Sequence, residues 1–283
     1  MEDQAEKKTI TIDANEAGNR LHHKDLNKKI RAAVKNGAKH ITVKNVCGQR
    51  FIGAGISSDD LTIEVEGDAG LDLGVFSSGI KIIVHGSSEY LLGNTLNKGE
   101  LIVYGSSWDI TGMGAKGGTI YVMGNGGSRI GIHMKEFHKE KPLIVYGGTV
   151  KQFLGEYMAG GNIVVLGLDF SEALPKNKNV IQKKDIDPKK IKHASEPVAQ
   201  SDLGAGIHGG AIYVRGEVPD ELLGVYATKK EFSEEDKKIL EPIWKKFQEY
   251  FNTPLELIAH DNYTKIVPYS SRPFGKAYTN TPI

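Results

Sequence analysis

The sequence predicts an all-β fold, a right-handed parallel β-helix of about seven to eight coils with a helical N-terminal cap and an α/β C-terminal extension. Three observations predict it. Glycine is in excess, 34 in 283 residues, where average usage of roughly 7% would give about 20. Thirty-one of them lie between Gly48 and Gly224 with no every-third-residue pattern, which excludes collagen. They also recur at fixed intervals, with apolar residues locked ahead of them.

One glycine series follows an apolar-x-Val-x-Gly pattern: Gly67, Gly86, Gly105, Gly124, Gly147, Gly167 and Gly216, with Asn45 in the equivalent first place. A second series runs Gly53, Gly74, Gly93, Gly112, Gly131, Gly155, Gly204 and Gly224. The step from first to second series is 7 at four places, and the step back is 12, so the unit is 19 residues. Two positions before each first-series anchor stands valine, from Val43 and Val65 to Val145 and Val214. Four before it stands Ile or Leu, from Ile41 and Ile63 to Leu143 and Ile212. That alternation describes a short strand with one buried face. A unit with one short strand cannot bury its apolar face alone, so successive units must stack. Right-handed winding is expected from the general rule for parallel connections.

Residues 1–39 read as an N-terminal strand and a capping helix, with Leu26, Ile30 and Val34 at helical spacing and Gly37 as the stop. Residues 40–225 are the β-helix, with two interruptions. From Gly131 to Gly147 the step is 16 rather than 12, the extra residues falling in the charged run 135–142. From Gly167 to Gly204 it is 37 rather than 7. This insertion, residues 169–200, carries Lys176, Lys178, Lys183, Lys184, Lys189, Lys190 and Lys192, and reads as a solvated excursion or a partner-binding arm rather than core.

Residues 226–283 form the extension. Ser233-Glu234-Glu235-Asp236 resembles a capping start for a helix with Ile239, Leu240, Ile243, Trp244, Phe247 and Phe251 on one face. Pro242 is expected to kink or divide it. Strand-like pieces at Leu255–Ala259 and Thr264–Val267 precede a stretch rich in Tyr, Pro and Arg that is expected to pack on the body or on a neighbour.

A net charge of +1 and 39% hydrophobic residues give no signature of a nucleic-acid binder. No apolar run approaches the ~18 residues of a membrane span, and the first residues lack an apolar leader core, so a cytoplasmic address is expected. Cys47 stands alone, which leaves no intrachain disulfide, cysteine-based zinc site or cysteine-ligated cluster on this chain. Gly112-Met113-Gly114-Ala115-Lys116-Gly117 matches a dinucleotide fingerprint as a string, but a strand follows it where a long helix is needed. No Ser sits in a GxSxG elbow. Asp72 and Asp202 share a repeat phase, but Leu91, Ile110, Arg129 and Phe153 occupy it between them, so no carboxylate row forms. His133 and His138 flank the first interruption without a third ligand at a supporting spacing. His133, Lys135, Glu136, Glu156, Tyr157 and Met158 are instead candidate partner contacts. No catalytic, cofactor-binding or metal-binding residues are assigned.

Leu92-Gly93-Asn94-Thr95, Thr111-Gly112-Met113-Gly114, Gly131-Ile132-His133-Met134-Lys135-Glu136, Phe153-Leu154-Gly155-Glu156-Tyr157-Met158-Ala159-Gly160-Gly161 and Gly206-Ile207-His208-Gly209-Gly210 together resemble the GXGXG-repeat domain that closes the large subunit of glutamate synthases. The resemblance covers roughly residues 40 to 225. The chain is also similar to the C subunit of formylmethanofuran dehydrogenases, the nearest competing context.

The resemblance implies a right-handed β-helix without catalytic residues of its own, packed between a glutamine amidotransferase and an FMN-binding synthase. It implies a free-standing subunit of a glutamate-synthase-type complex, an oxidoreductase of glutamate biosynthesis, with FMN and iron–sulfur clusters on partner subunits. The amidotransferase of that class needs an N-terminal cysteine, and here Glu2 follows Met1. The expected role is a non-catalytic scaffold, with homo-oligomerisation as an additional expectation. The alternatives are the formylmethanofuran dehydrogenase scaffold and an independent hydrolase such as an esterase.

Overall fold

A computed structural model describes residues 8–270. The strands of the main sheet are β1 (Thr9–Asp13), β2 (His40–Cys47), β3 (Thr62–Asp68), β4 (Lys81–Val84), β5 (Glu100–Val103), β6 (Thr119–Val122), β7 (Leu143–Tyr146), β8 (Ala159–Val165), β9 (Gly209–Arg215), β10 (Ala227–Lys230) and β11 (Tyr263–Pro268). They form one sheet of 11 strands in the order β1-β2-β3-β4-β5-β6-β7-β8-β9-β11-β10. Neighbours are parallel from β1 to β9. Parallel strands that are adjacent both in sequence and in space, without intervening helices, make a β-solenoid of about six turns. This is fewer than the seven to eight coils that counting strand repeats gives. The step from β1 to β2 passes through a helix, and the step from β8 to β9 carries the long insertion.

Along the inner face the repeat packs as expected: Ile41 aligns with Ile63 and Val43 with Val65, then Ile82 with Leu101 and Val84 with Val103. All eight are essentially inaccessible to solvent. At β7 the expected inward pair, Leu143 and Val145, is displaced by one residue. Ile144 aligns with Ile120 and Tyr146 with Val122, so Ile144 and Tyr146 enter the core while Val145 faces outward. A one-residue slip exchanges the faces of a strand, and Leu143-Ile144-Val145-Tyr146 is apolar on both. The corner equivalent to Gly124 is then Gly148, whose N–H donates to the Gly124 carbonyl at 3.0 Å, rather than Gly147. The first interruption accordingly adds five residues (148 − 131 − 12), and the step from Gly148 to Gly155 is 7 again.

Two physical demands explain the glycines. Gly86, Gly105 and Gly124 mark close approach between coils; a Cβ on Gly86 would lie 2.5 Å from the Gly67 carbonyl oxygen. Gly147 is crowded too, with a Cβ 2.2 Å from the Met123 carbonyl, and a Cβ on Gly224 would meet Ala205 at 2.5 Å. Gly67, Gly167 and Gly216 add positive φ, as does the second series from Gly53 to Gly204.

Helix α1 (His23–Lys35) buries Leu26 and Ile30 in the same core as β1 and β2. Its Arg31 donates to the Ala54 carbonyl, and its Asn27 to that of Arg50, tying it to the first corner.

The lysine-rich insertion is not a solvated excursion. Phe170, Ala173, Ile181, Ile186 and Ile191 are buried in a second core on the outer face of the sheet. That core also holds Ile102, Tyr121, Val145, Val164 and Tyr213 from the strands, and Leu240, Trp244, Phe247 and Phe251 from α2 (Glu234–Phe251). The lysines are the insertion's solvent side, and its isoleucines are the packing side. Asn252 reaches from the end of α2 to the Ile186 carbonyl. At the insertion's other contact, His85 and Ile181 are joined twice, Ile181 N–H to the His85 carbonyl at 2.8 Å and His85 Nδ1 to the Ile181 carbonyl oxygen at 2.9 Å.

Ser233 and Asp236 form the capping box, and α2 runs unbroken through Pro242 rather than dividing there. Leu255–Leu257 forms a 3₁₀ turn rather than a strand. After it, β11 lies antiparallel on β9, and β10 antiparallel on β11. Ile266 of β11 aligns with Ile212. It approaches the corner at Gly204, where a further coil's isoleucine would stand. The stretch rich in Tyr, Pro and Arg falls largely at 271–283, outside the described residues.

Candidate functional site: the glycine corner

Each coil turns between strands through a corner with left-handed backbone at three alternate positions. One corner has Arg129 (φ 58°), Gly131 (71°) and His133 (54°); the next has Phe153 (60°), Gly155 (69°) and Tyr157 (50°). The N–H of each outer residue donates to the following coil, as from His133 to the Glu156 carbonyl at 3.0 Å. The N–H of the middle residue donates back, as from Gly131 to the Thr111 carbonyl at 2.7 Å. The middle position faces the core: a Cβ on Gly131 would lie 2.5 Å from Ile163 Cδ1. Only glycine fits there.

The outer positions tolerate side chains sterically but strain them, since left-handed backbone costs an L-residue about 1–2 kcal/mol. Glycine fills some of them, as at Gly55, Gly114 and Gly206, whereas Phe51, Asp72, Phe76, Leu91, Thr95 and Ile110 fill others. Three alternate left-handed sites per corner are the physical content of a GXGXG pattern. The fixed middle glycine of the second series was its visible signal. The strained outer residues were not legible, because their identities vary from coil to coil.

The candidate contact residues lie on two neighbouring coils. The His133 and Tyr157 rings stack with centroids 5.4 Å apart and planes 11° from parallel. The Arg129 guanidinium lies 4.8 Å from the Phe153 ring centre and 3.2 Å from Glu156 Oε2. Glu156 is nearly buried in this contact. Lys135 is exposed, and its backbone bridges to Ala159. Glu136 accepts from the Gly161 N–H at 3.1 Å and so stitches the loop to β8. Met158 does not belong to the surface. It is fully buried, with its Cε 2.4 Å from where a Cβ on Gly210 would stand, so it acts as core. His138 stacks edge-on against Phe137 rather than joining His133. Among the described residues no three His, Cys, Asp or Glu side chains come together as a metal cluster.

Groups with large shifts in titration sit at packing junctions away from this corner. Burial pushes the Tyr146 hydroxyl up to about 12, against the hydrogen bonds it shares with Ser107 and Thr111 inside the coil. Burial, with the Glu64 charge, likewise lifts Tyr104 to about 12. For Asp236 burial works upward, but the Lys265 ammonium, the Ser233 backbone N–H and the Tyr213 hydroxyl outweigh it and hold the carboxyl at about 2. Tyr104 and Asp236 join the second core to the solenoid, whereas Tyr146 locks coils together within the inner core. The corner itself offers stacked rings, a guanidinium and exposed apolar side chains, the chemistry of a contact surface.

Fold and corner together define a parallel β-solenoid whose repeats are closed by alternating left-handed turns. The model of the GXGXG motif family matches residues 11–269. The chain belongs to that family, the repeat-domain type that closes the large subunit of glutamate synthases. It is similar to an uncharacterised protein of Methanocaldococcus jannaschii, 45% identical over 275 residues that cover 95% of this chain and 96% of the relative. Among the described residues no helix is long and apolar enough to cross a membrane.

Proposed function

We propose that the chain is a non-catalytic structural component of a glutamate-synthase-type complex, holding a glutamine amidotransferase and an FMN-dependent synthase in fixed relation. The observation that carries this reading is the family match across nearly the whole chain, residues 11–269. The corners support it. Their buried groups are committed to coil-to-coil hydrogen bonds and packing, while their outer positions present His133, Tyr157 and Arg129 for contact. In this reading FMN and iron–sulfur clusters reside on the partner subunits, the complex works in the cytoplasm, and the winding is right-handed. Helix α1 closes the first coil, and β11 and β10 continue the sheet past the last, protecting edges that would otherwise invite aggregation, while α2 covers the sheet's outer face.

The test is native purification from cells followed by mass spectrometry and flavin analysis. Stoichiometric recovery of chains bearing amidotransferase and FMN sites is the expected result. A chain that elutes alone, or that hydrolyses esters by itself, refutes the scaffold.

A further inference from the structure

The first corner faces the N-terminal segment across a cleft of about 450 Å³, whose walls include Arg20, His22, His23, Gly48, Gln49 and Arg50. Three segments tied to one another build it. Asn15–Glu16 pairs with Asn19–Arg20 in a short antiparallel hairpin, and the Arg20 guanidinium lies over Gly48, where a Cβ would stand 3.2 Å from its Nη2. Buried Gln49 joins the corner to the base of that hairpin. Its Nε2 donates to the Ala14 carbonyl at 3.1 Å, and its Oε1 accepts from the Cys47 N–H at 2.7 Å. From α1, Asn27 donates to the Arg50 carbonyl at 2.9 Å. His22 caps α1, its Nδ1 accepting from the Lys24 N–H at 3.4 Å, which leaves the proton of the neutral ring on Nε2 as a donor. These hydrogen bonds fix the walls without help from a ligand.

Charge on the walls is unbalanced. Of the described arginines, Arg31 donates to the Ala54 carbonyl, Arg129 holds Glu156 and Arg215 holds Glu196. The guanidinium groups of Arg20 and Arg50 have no hydrogen-bond or ion-pair partner among the described residues, and both line this cleft. Desolvation, followed by the His22, Arg50 and Lys24 charges, holds the His23 imidazole below its ordinary value, and the opposing charge of Asp25 is the weakest of these influences. Glu89 is the acid at the rim. Its Oε1 would lie 3.4 Å from a Cβ on Gly48, yet it pairs with neither arginine. We infer that this cleft binds a phosphate group, either free phosphate or the phosphate of a small organic monoester. The donor set selects phosphate over carboxylate. Two guanidinium forks and two imidazole N–H groups outnumber the two oxygens of a carboxylate, whereas the oxygens of a phosphate can engage both forks at once. The volume falls within the ~300–1,000 Å³ of small-molecule pockets, so a monoester fits as well as the bare ion.

The test is isothermal titration calorimetry of the full chain at low ionic strength with inorganic phosphate, glycerol 3-phosphate and, as the carboxylate probe, acetate. Wild type, R20Q/R50Q, E89Q and K183Q/K184Q are compared, the last removing two exposed cations of the insertion that have no part in the cleft. Expected are saturable binding of phosphate by wild type, at least tenfold weaker binding by R20Q/R50Q at an unchanged melting temperature, and unchanged binding by K183Q/K184Q. Removing the rim carboxylate in E89Q should tighten binding about two- to fivefold. Whichever of the two phosphates binds tighter identifies the source, and either result supports the site. Acetate binding as tight as phosphate, undiminished binding by R20Q/R50Q, an equal loss in K183Q/K184Q, or no saturable binding at millimolar phosphate overturns it. None of these outcomes bears on the scaffold reading.

Discussion

Replacing Gly112 by alanine isolates the two demands made on the inner corner glycine. Its φ is 69°, and a Cβ would lie 2.4 Å from Ile144 Cδ1. Left-handed strain contributes about 1–2 kcal/mol, and overpacking of a filled core contributes about 1–3 kcal/mol more. The expected loss is therefore about 2–5 kcal/mol. Gly114 shares the left-handed backbone at φ 59° but has open space, the nearest atom being Thr95 Oγ1 at 3.6 Å. Its alanine variant should lose only the strain, about 1–2 kcal/mol. Ile144→Val deletes the Cδ1 methyl and leaves the next atom, Cγ1, at 3.3 Å from the added Cβ. In the G112A background it should thus recover stability, whereas alone it costs about 0.5–1.5 kcal/mol. Urea titration of the four proteins, followed by far-ultraviolet circular dichroism, gives the cycle directly. Equal losses for G112A and G114A, or no recovery with I144V, would refute the packing of the corner against β7 and the register that places Ile144 inward.

Three further outcomes are expected. Ile186→Ala should cost about 2–4 kcal/mol by urea titration, because Ile186 is buried in the second core, whereas a solvated loop would give almost nothing. Asp236 is held at about 2 against its ordinary 3.8. A depressed carboxyl stabilises the fold above its unfolded value, so about 2 kcal/mol should be present at neutral pH and disappear as pH falls from about 4 to about 2. Stability-versus-pH curves of wild type and D236N should therefore converge in that window. Tyr146→Phe removes a buried hydroxyl bonded to Ser107 and should cost about 1 kcal/mol, again by urea titration, with the secondary structure unchanged.

The solenoid was legible because one demand recurs in every coil: an Ile or Leu and a Val on the inner face, and a glycine that must pass beneath a later coil's isoleucine. Where a segment is apolar on both faces, as at Leu143-Ile144-Val145-Tyr146, alternation loses its power to fix register. The interval of 8 rather than 7 between Gly147 and Gly155 did contain the answer. The second core left a similar trace. The outward position occupied by Thr42 and Glu64 in the first coils becomes Ile83, Ile102, Tyr121, Val145, Val164 and Tyr213 in later ones, a sign that something covers the sheet there. In the insertion the lysine count obscured Ile181, Ile186 and Ile191, spaced so that one side packs. Of the candidate site, the neighbourhood of His133 and Tyr157 was readable from the resemblance. The direction of Met158 was not, since a thioether suits a surface and a core equally well.

The inner glycine of each corner packs beyond the next strand, against the one after it: Gly53 against Ile82 of β4, Gly112 against Ile144 of β7, Gly155 against Ile212 of β9. Coupling in this solenoid therefore has a range longer than one repeat. When an end coil opens, it withdraws support from the corner glycine's partner two strands away as well as from its immediate neighbour. Opening should then propagate in blocks of about two coils, and amide exchange along the stack should fall into steps of that width instead of a gradient of single repeats. Such a rod resists fraying until a whole block yields.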